Sequence, residues 1–283
     1  MANAGRRAVI LGLGFTGAAI ARRLLADGWD VAGTGRSLPK VGGVQGLVFD
    51  GKASEELRRL VAECDFLVAS VPPGSDGSDP VLNAIPDIEI LCGGVVIYLS
   101  ATSVYGDRGG DWVFEGEVPR PETERGRRRA EAELRWLETG LPVHVLRLAG
   151  IYGPGRSPFD KVDRAVVKPG HVVNRIHVDD IAELVARVAE RPEPGVYNVA
   201  DGNPAPPDEV VRFAAEFVGA PEPREVPWTD PDLSVMARSF YGETKRVSVD
   251  KTQSVFGWEP RYPTYREGLR AVLQAEQRKG SEG

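Results

Sequence analysis

The stretch Ala8-Val9-Ile10-Leu11-Gly12-Leu13-Gly14-Phe15-Thr16-Gly17 decides how the rest of the chain is read. Residues 8–11 are apolar and partly β-branched, as a strand buried on both faces is. Gly12, Gly14 and Gly17 then follow as G-x-G-x-x-G, where strand should give way to helix. The next residues, Ala18 to Asp27, place Ile20, Leu24 and Leu25 on one helical face, and Gly28 marks the end. Asp30 to Ser37 supplies a second strand. In such a unit the first glycine allows a tight turn, the second lets a pyrophosphate approach the backbone, and the third lets helix and strand pack closely. The phosphates rest on unpaired N–H groups at the positive helix end, here those near Phe15 and Thr16. Glycine makes up 33 of 283 residues, so the motif carries weight through its flanks rather than its letters.

The end of the second strand bears on which dinucleotide fits. An Asp or Glu there accepts from the ribose 2′-OH of NAD. Between Val31 and Val48 there is no acidic residue; Arg36 and Ser37 stand instead. A guanidinium beside a hydroxyl suits a 2′-phosphate, which a carboxylate would repel. NADP(H) is therefore the expected cofactor in preference to NAD, the plain alternative being that Arg36 is a solvated surface residue.

Bulk properties fit this class. Hydrophobic content is 42% and charged content 27%, ordinary for a globular protein. A net charge of −6 argues against a broad nucleic-acid surface. No apolar run reaches membrane-spanning length, and residues 1–7 show no signal-peptide pattern. Cys64 and Cys92 are isolated and lack metal-ligand spacing, so they read as reduced core or boundary residues and no metal is expected. A cytoplasmic protein with a small-molecule substrate is the expectation.

Further strands are expected at Val44–Phe49, ending at Asp50, at Asp65–Val71, stopped by Pro72-Pro73-Gly74, at Gly94–Leu99, at Val143–Leu148, at Val172–Val178 and at Gly195–Val199. Helices are expected over Ala53–Glu63, weakly over Pro80–Leu91, over the charged stretch Glu122–Glu138, and from Asp179, where Asp180 and Glu183 have capping-box spacing. Residues up to Gly170 after the sixth strand read as irregular. Beyond Asp201 the pattern gives a helix near Asp208–Val218, a strand at Lys245–Val249 and a closing helix over Thr264–Gln277, with no periodicity from Pro221 to Tyr241. The alternation up to Val199 implies an α/β fold: a Rossmann-type doubly wound parallel sheet, with a small C-terminal α+β substrate domain. Residues 1–150 and 171–200 are assigned to the nucleotide-binding part, 151–170 and 201–283 to the smaller one. Ligands in such a sheet bind outside the carboxyl ends of the strands, which adds Asp50, Ser70, Val71, Pro72 and Gly150 to the cofactor-binding set of Gly12, Gly14, Phe15, Thr16, Gly17, Arg36 and Ser37.

Several segments resemble, in order, the extended short-chain dehydrogenase/reductase family, the NAD-dependent epimerase/dehydratase type. They are the glycine turn, Leu99-Ser100-Ala101-Thr102-Ser103-Val104-Tyr105-Gly106, Val145 to Gly155, Arg175-Ile176-His177-Val178-Asp179-Asp180-Ile181-Ala182, and Tyr197-Asn198-Val199-Ala200-Asp201. With G-x-G-x-x-G in place of G-x-x-G-x-x-G, the chain looks most like the atypical YeeZ-type branch. The resemblance covers nearly the whole chain and implies an NAD(P)-dependent oxidoreductase or epimerase, a nucleotide-sugar-like substrate and a homodimer.

The same resemblance implies a Tyr and a Lys four residues apart on one helix and a Ser or Thr at the end of the fifth strand. Aligned on Glu122–Glu131, Arg125 stands where the Tyr belongs, Arg129 where the Lys belongs, and Ala101 where the hydroxyl belongs. An arginine stays protonated and cannot act as general acid or base. Arg129 keeps the binding half of the lysine's role, and Thr102 or Ser103 can replace the hydroxyl; Thr102, Arg125 and Arg129 are the candidate catalytic residues. Tyr105, Arg147, Arg156 and Arg175 are candidates for holding a polar, anionic substrate. Arg127 and Arg128 read as a solvated face paired with Glu131, and His177 as a hydrogen-bonded structural residue. Two rivals stand beside this reading. One is a non-catalytic NADP(H) sensor or regulator. The other is a β-hydroxyacid-type dehydrogenase, which would need a long all-helical second domain that the Pro-rich tail does not supply.

Overall fold

A computed structural model describes residues 5–234, 238 and 240–281. The first half runs β1 (Arg7–Leu11), α1 (Phe15–Ala26), β2 (Asp30–Gly35), β3 (Gln45–Val48), α2 (Glu55–Ala62), β4 (Phe66–Ala69), α3 (Pro80–Ala84), α4 (Ile88–Leu91) and β5 (Val95–Ala101). Then come β6 (Trp112–Val113), α5 (Glu124–Glu138), β7 (Val143–Leu148), β8 (Gly150–Tyr152), β9 (Arg164–Val167) and β10 (Arg175–His177). The chain ends with α6 (Val178–Glu190), β11 (Gly195–Val199), α7 (Pro207–Phe217), β12 (Arg224–Pro227), β13 (Arg246–Val247), α8 (Asp250–Phe256) and α9 (Tyr265–Ser281).

Seven strands form one parallel sheet in the order β11-β7-β5-β4-β1-β2-β3. The chain moves outward from β1 to β3, then restarts at β4 on the other side of β1. That reversal opens a crevice above the carboxyl ends of β1 and β4, the switch point at which α/β sheets bind ligands. The helices are divided between the two faces. One face packs α1 and α6 through Ile20, Leu24, Ile181 and Val185; the other packs α2 through Leu57, Leu60 and Val61, with Trp136 of α5.

Expected and observed elements agree through β7 within a few residues, except that the loop with Trp112 and Phe114 holds the short strand β6, which pairs with the distant β13. The weak helix over Pro80–Leu91 is two short helices, broken at Ile85 to Asp87. Residues up to Gly170 are not wholly irregular, because β8 and β9 lie there. They pair in parallel with β10 and β12, partners too distant in sequence for local periodicity to reveal. β12 falls in the stretch that shows no periodicity, part of which (Val235–Ala237 and Ser239) lies outside the described residues. A third apolar cluster, with Tyr152, Val210, Ala214, Tyr265, Leu269 and Val272, holds α7 and α9 together.

The start of α6 corrects a sequence expectation. Its N-cap is His177, whose Nδ1 accepts from the Asp179 N–H at 3.2 Å. Asp180 is turned away to accept from the backbone N–H groups of Arg261 (2.7 Å) and Tyr262 (3.2 Å). Glu183 pairs with Arg23 of α1 and Arg187 rather than completing a capping box.

Candidate functional site

The three glycines of the turn stand in different surroundings. Gly12 has φ +103°, and a Cβ there would lie 3.1 Å from the Val71 nitrogen and 3.2 Å from the Ser70 carbonyl carbon. A Cβ on Gly17 would lie 2.2 Å from the Gly12 oxygen, so only glycine fits beneath the turn. Gly14 is the reverse case: nothing lies within 4 Å of its Cβ position. It is the N-cap of α1, makes no side-chain cap and is followed by no acidic residue in the first turn. The opening N–H groups of α1 therefore face a space that neither a side chain nor a carboxylate fills. An anion is favoured there by the helix dipole and by those free donors.

Thr34 is a member of this arrangement that sequence reading missed. Its buried hydroxyl accepts from the Gly12 N–H at 3.0 Å, and its carbonyl accepts from the Leu13 N–H at 2.6 Å. Thr34 meets the turn because β1 and β2 pair with Ile10 opposite Gly33, a pairing across the chain that leaves no local signal in the sequence.

Most proposed cofactor contacts gather on this edge. Arg36 and Ser37 follow β2 and are exposed, and no carboxylate among the described residues lies within 4.0 Å of Arg36. Asp50 follows β3, exposed, with its carboxylate accepting from the Lys52 N–H at 3.3 Å. Ser70, Val71 and Pro72 leave β4 directly against Gly12. Gly150 is exposed beyond β7. Phe15 lies beneath the guanidinium of Arg156, 5.7 Å from its ring centre, so this arginine stands beside the glycine turn.

Arg125, Arg129 and Glu133 stand four residues apart along α5, and Arg129 and Glu133 are the two that reach β5. Thr123 caps the helix by accepting from the Gly126 N–H at 3.1 Å. Gly126 packs on the turn Thr102–Tyr105, its Cβ position 2.8 Å from the Ser103 oxygen. Thr102 is half-buried at the end of β5, and Arg125 is exposed beside Gly126. Arg129 is half-buried, and its Nη1 donates to the Leu99 oxygen (2.9 Å) and to the Tyr98 hydroxyl (3.0 Å). Burial raises the Tyr98 phenol to about 12, against the pull of Arg129. Arg127 and Arg128 pair with Glu124, not with Glu131 as expected.

One turn further on, Glu133 is 3% exposed. Its Oε2 accepts from the Ser100 hydroxyl at 2.8 Å, and it forms a buried ion pair with Arg147. Arg147 Nη1 also donates to the Tyr105 hydroxyl at 2.9 Å, and that hydroxyl donates to Asn198 Oδ1 at 2.7 Å. The structure thus places Arg147 and Tyr105, both read from sequence as substrate-facing, inside the molecule with these polar atoms engaged internally. Burial raises the Tyr105 phenol above its ordinary value. Arg175, the fourth substrate candidate, spans from β10 to the chain after β11. Its Nη1 donates to the Val173 oxygen (2.9 Å) and the Ala205 oxygen (3.1 Å), and burial lowers its pKa. Near it, burial raises the Asp201 carboxyl to about 7. Asp201 accepts from the Asn203 N–H, while its Oδ2 has no hydrogen-bond partner.

No cluster of three or more His, Cys, Asp or Glu able to hold a metal occurs among the described residues. Cys64 and Cys92, isolated in sequence, are neighbours in space. The Cys64 thiol donates to the Val61 oxygen at 3.2 Å, and the nearby Cys92 thiol together with burial pushes it up.

Comparison with known proteins fits this geometry. Protein YeeZ of Escherichia coli K12 is 32% identical over 224 residues, which span 71% of this chain and 80% of YeeZ. The chain belongs to the YeeZ family, of extended short-chain dehydrogenase/reductase-like fold. The structure of a conserved protein of unknown function from Silicibacter pomeroyi DSS superposes with a TM-score of 0.88 at 41% identity, covering 95% of this chain and 99% of that one. The dTDP-glucose 4,6-dehydratase of Bacillus anthracis Ames, solved with NAD, has a TM-score of 0.80 at 18% identity, covering 98% of each chain. At that identity the likeness concerns the fold. No family model matches the chain.

Proposed function

We propose that this YeeZ-family protein binds NADP(H) across the carboxyl edge of β1, β2 and β4. In this reading it is an oxidoreductase- or epimerase-like enzyme acting on a polar, nucleotide-sugar-like substrate. The observation that carries the reading is the open cradle at Gly14 together with the exposed Arg36, which pairs with no carboxylate among the described residues. Gly12 and Gly17 hold the turn closed, Gly14 leaves it open, and the first N–H groups of α1 hold the pyrophosphate. Arg36 and Ser37 take the 2′-phosphate, while Ser70 to Pro72 and Gly150 line the path toward the reacting end. The NAD bound to the fold relative from Bacillus anthracis supports a dinucleotide in this crevice.

The cofactor, when bound, supplies a hydride donor or acceptor. The chain must then place a substrate and move a proton with a set that differs from the family's usual Tyr, Lys and Ser. Arg125, at the exposed start of α5, orients an anionic substrate but holds its own proton. Arg129 keeps a cation beside the end of β5, while its Nη1 bonds to Leu99 and Tyr98 fix its position. Thr102 offers the hydroxyl nearest the lost position at Ala101. Residues 151–170 and 201–283 are proposed to close over the substrate as a smaller domain. A reducing, cytoplasmic setting belongs to the same reading, with Cys64 and Cys92 as buried thiols. A homodimer follows from the family resemblance.

Titration with NADPH and NADH, repeated on Arg36→Ala, tests the cofactor reading. NADPH is expected to bind more tightly, and the variant to lose at least about tenfold of that affinity, the size of one charge-assisted contact, with NADH little changed. Failure of both nucleotides to bind would overturn it.

A second reading, a non-catalytic NADP(H) sensor, is favoured by the absence of an ionisable acid or base at positions 125 and 129. The triple variant Arg125→Tyr, Arg129→Lys, Ala101→Ser separates the two. Hydride transfer by the wild-type protein in a substrate screen supports the enzyme. Transfer gained only by the triple variant supports the sensor.

A further inference from the structure

A cleft of about 550 Å³ opens between the start of α6 and the face of α9, lined by Pro154, His177, Asp179, Arg261, Tyr262 and Arg270 among others. Gly153, packed between Val178 and the Phe15 ring, stands between this cleft and the glycine turn. His177 at its floor is 1% exposed. Because Nδ1 accepts the Asp179 N–H, the neutral ring carries its proton on Nε2. That Nε2 is buried and has no hydrogen-bond partner. A buried donor without an acceptor calls for a partner.

The charges around it point the same way. Arg261 and Arg270 are both exposed, and no carboxylate among the described residues lies within 4.0 Å of either guanidinium. Two carboxylates, Glu267 and Asp179, also line the cleft. Glu267 accepts from the Thr264 hydroxyl, and Asp179 lies 3.7 Å from His177 Nδ1, on the side of the ring away from the free donor. The Tyr262 ring, 4.3 Å from the His177 ring, supplies an apolar wall together with Ala271 and Ala275.

We propose that this cleft is a second ligand site, for a small phosphorylated metabolite whose phosphate bridges Arg261, Arg270 and His177 Nε2–H. Two guanidinium groups and an imidazole N–H, donors only, suit a tetrahedral dianion better than a planar carboxylate, and the volume exceeds that of phosphate alone, leaving room for an organic body on Tyr262. The site is independent of the cofactor assignment.

Calorimetric titration of the intact protein with inorganic phosphate and with glucose 6-phosphate, at fixed ionic strength and with NADPH present in excess, tests it. Both are expected to bind, the sugar phosphate more tightly, and Arg270→Ala is expected to weaken each at least tenfold while leaving the NADPH titration unchanged. Imidazole nitrogen NMR provides a readout that needs no variant: phosphate, but not chloride or acetate, shifts the Nε2–H signal of His177. Unaltered phosphate affinity in Arg270→Ala, an unmoved His177 signal, or acetate binding as well as phosphate would each overturn the proposal. Because the probe is followed at His177, failure of NADPH to bind would count against the cofactor reading alone.

Discussion

Gly14 and Gly17 are three residues apart, yet adding one methyl group should have opposite consequences at the two positions. At Gly17 the new carbon would lie 2.2 Å from a carbonyl oxygen, and backbone must move to admit it. Gly17→Ala is expected to cost about 1–3 kcal/mol of stability, the range for overpacking a filled interior, measurable as a lower urea midpoint. At Gly14 the carbon meets open space and φ is −78°, which alanine adopts readily. Gly14→Ala should keep the wild-type midpoint while weakening dinucleotide binding by an order of magnitude or more, since the methyl would occupy the approach to the backbone. Equal loss of stability in both variants would contradict the assignment. The same residue-scale logic applies to Thr34, whose hydroxyl holds the Gly12 N–H: Thr34→Val removes that bond and keeps the shape.

On the scale of the element, α5 shows how a helix can keep its place in a fold while its inner face is rebuilt. Arg129 and Glu133 bind β5 and β7 through Leu99, Ser100 and Arg147. A buried carboxylate and guanidinium hold each other's charge, so removing one leaves the other stranded. Glu133→Ala is expected to destabilise the protein by about 3–5 kcal/mol, the usual cost of breaking a buried ion pair. Pairing it with Arg147→Met should restore much of that loss, because neither charge then remains. Chemical denaturation of the single and double variants checks this, and additive losses would argue against the pair. Much of this face was readable from sequence: the spacing of Arg125 and Arg129 and the missing Tyr and Lys were plain. Glu133 was not singled out, because a glutamate in a charged helix gives no local sign that its partner lies on a strand fourteen residues on.

For the whole molecule, buried carboxyls set a pH dependence. Burial raises Asp180 to about 6 and Asp201 to about 7, above the unfolded value near 3.9. Between roughly pH 4 and 7 the native state therefore holds protons that the unfolded chain has released. The stability these groups contribute is full below pH 4 and is lost as pH rises through the folded values. Asp201→Asn removes one titration, so its stability relative to wild type should climb with pH across that window, by at most about 1.4 kcal/mol per unit. Denaturant midpoints at a series of pH values give the test; a constant offset between the two proteins would refute it. The Asp180 contacts to Arg261 and Tyr262 tie α6 to the loop before α9, which joins this titration to packing between distant parts of the chain.

By itself the sequence determined the parallel sheet, the glycine turn and the helix that follows it. These rest on local periodicity and on backbone freedom at a few glycines, both written in neighbouring residues. It also determined that Arg stands at 36, 125 and 129, and so which ionisable chemistry those positions lack. Only the tertiary structure decided where the remaining arginines and tyrosines point. Arg147 and Tyr105 turn inward because Glu133 and Asn198 await them from other elements, Arg156 comes to lie over Phe15, and His177 becomes a cap with its second nitrogen unpaired. A side chain's role follows from the neighbours that burial gives it, and those neighbours are set by contacts across the whole chain.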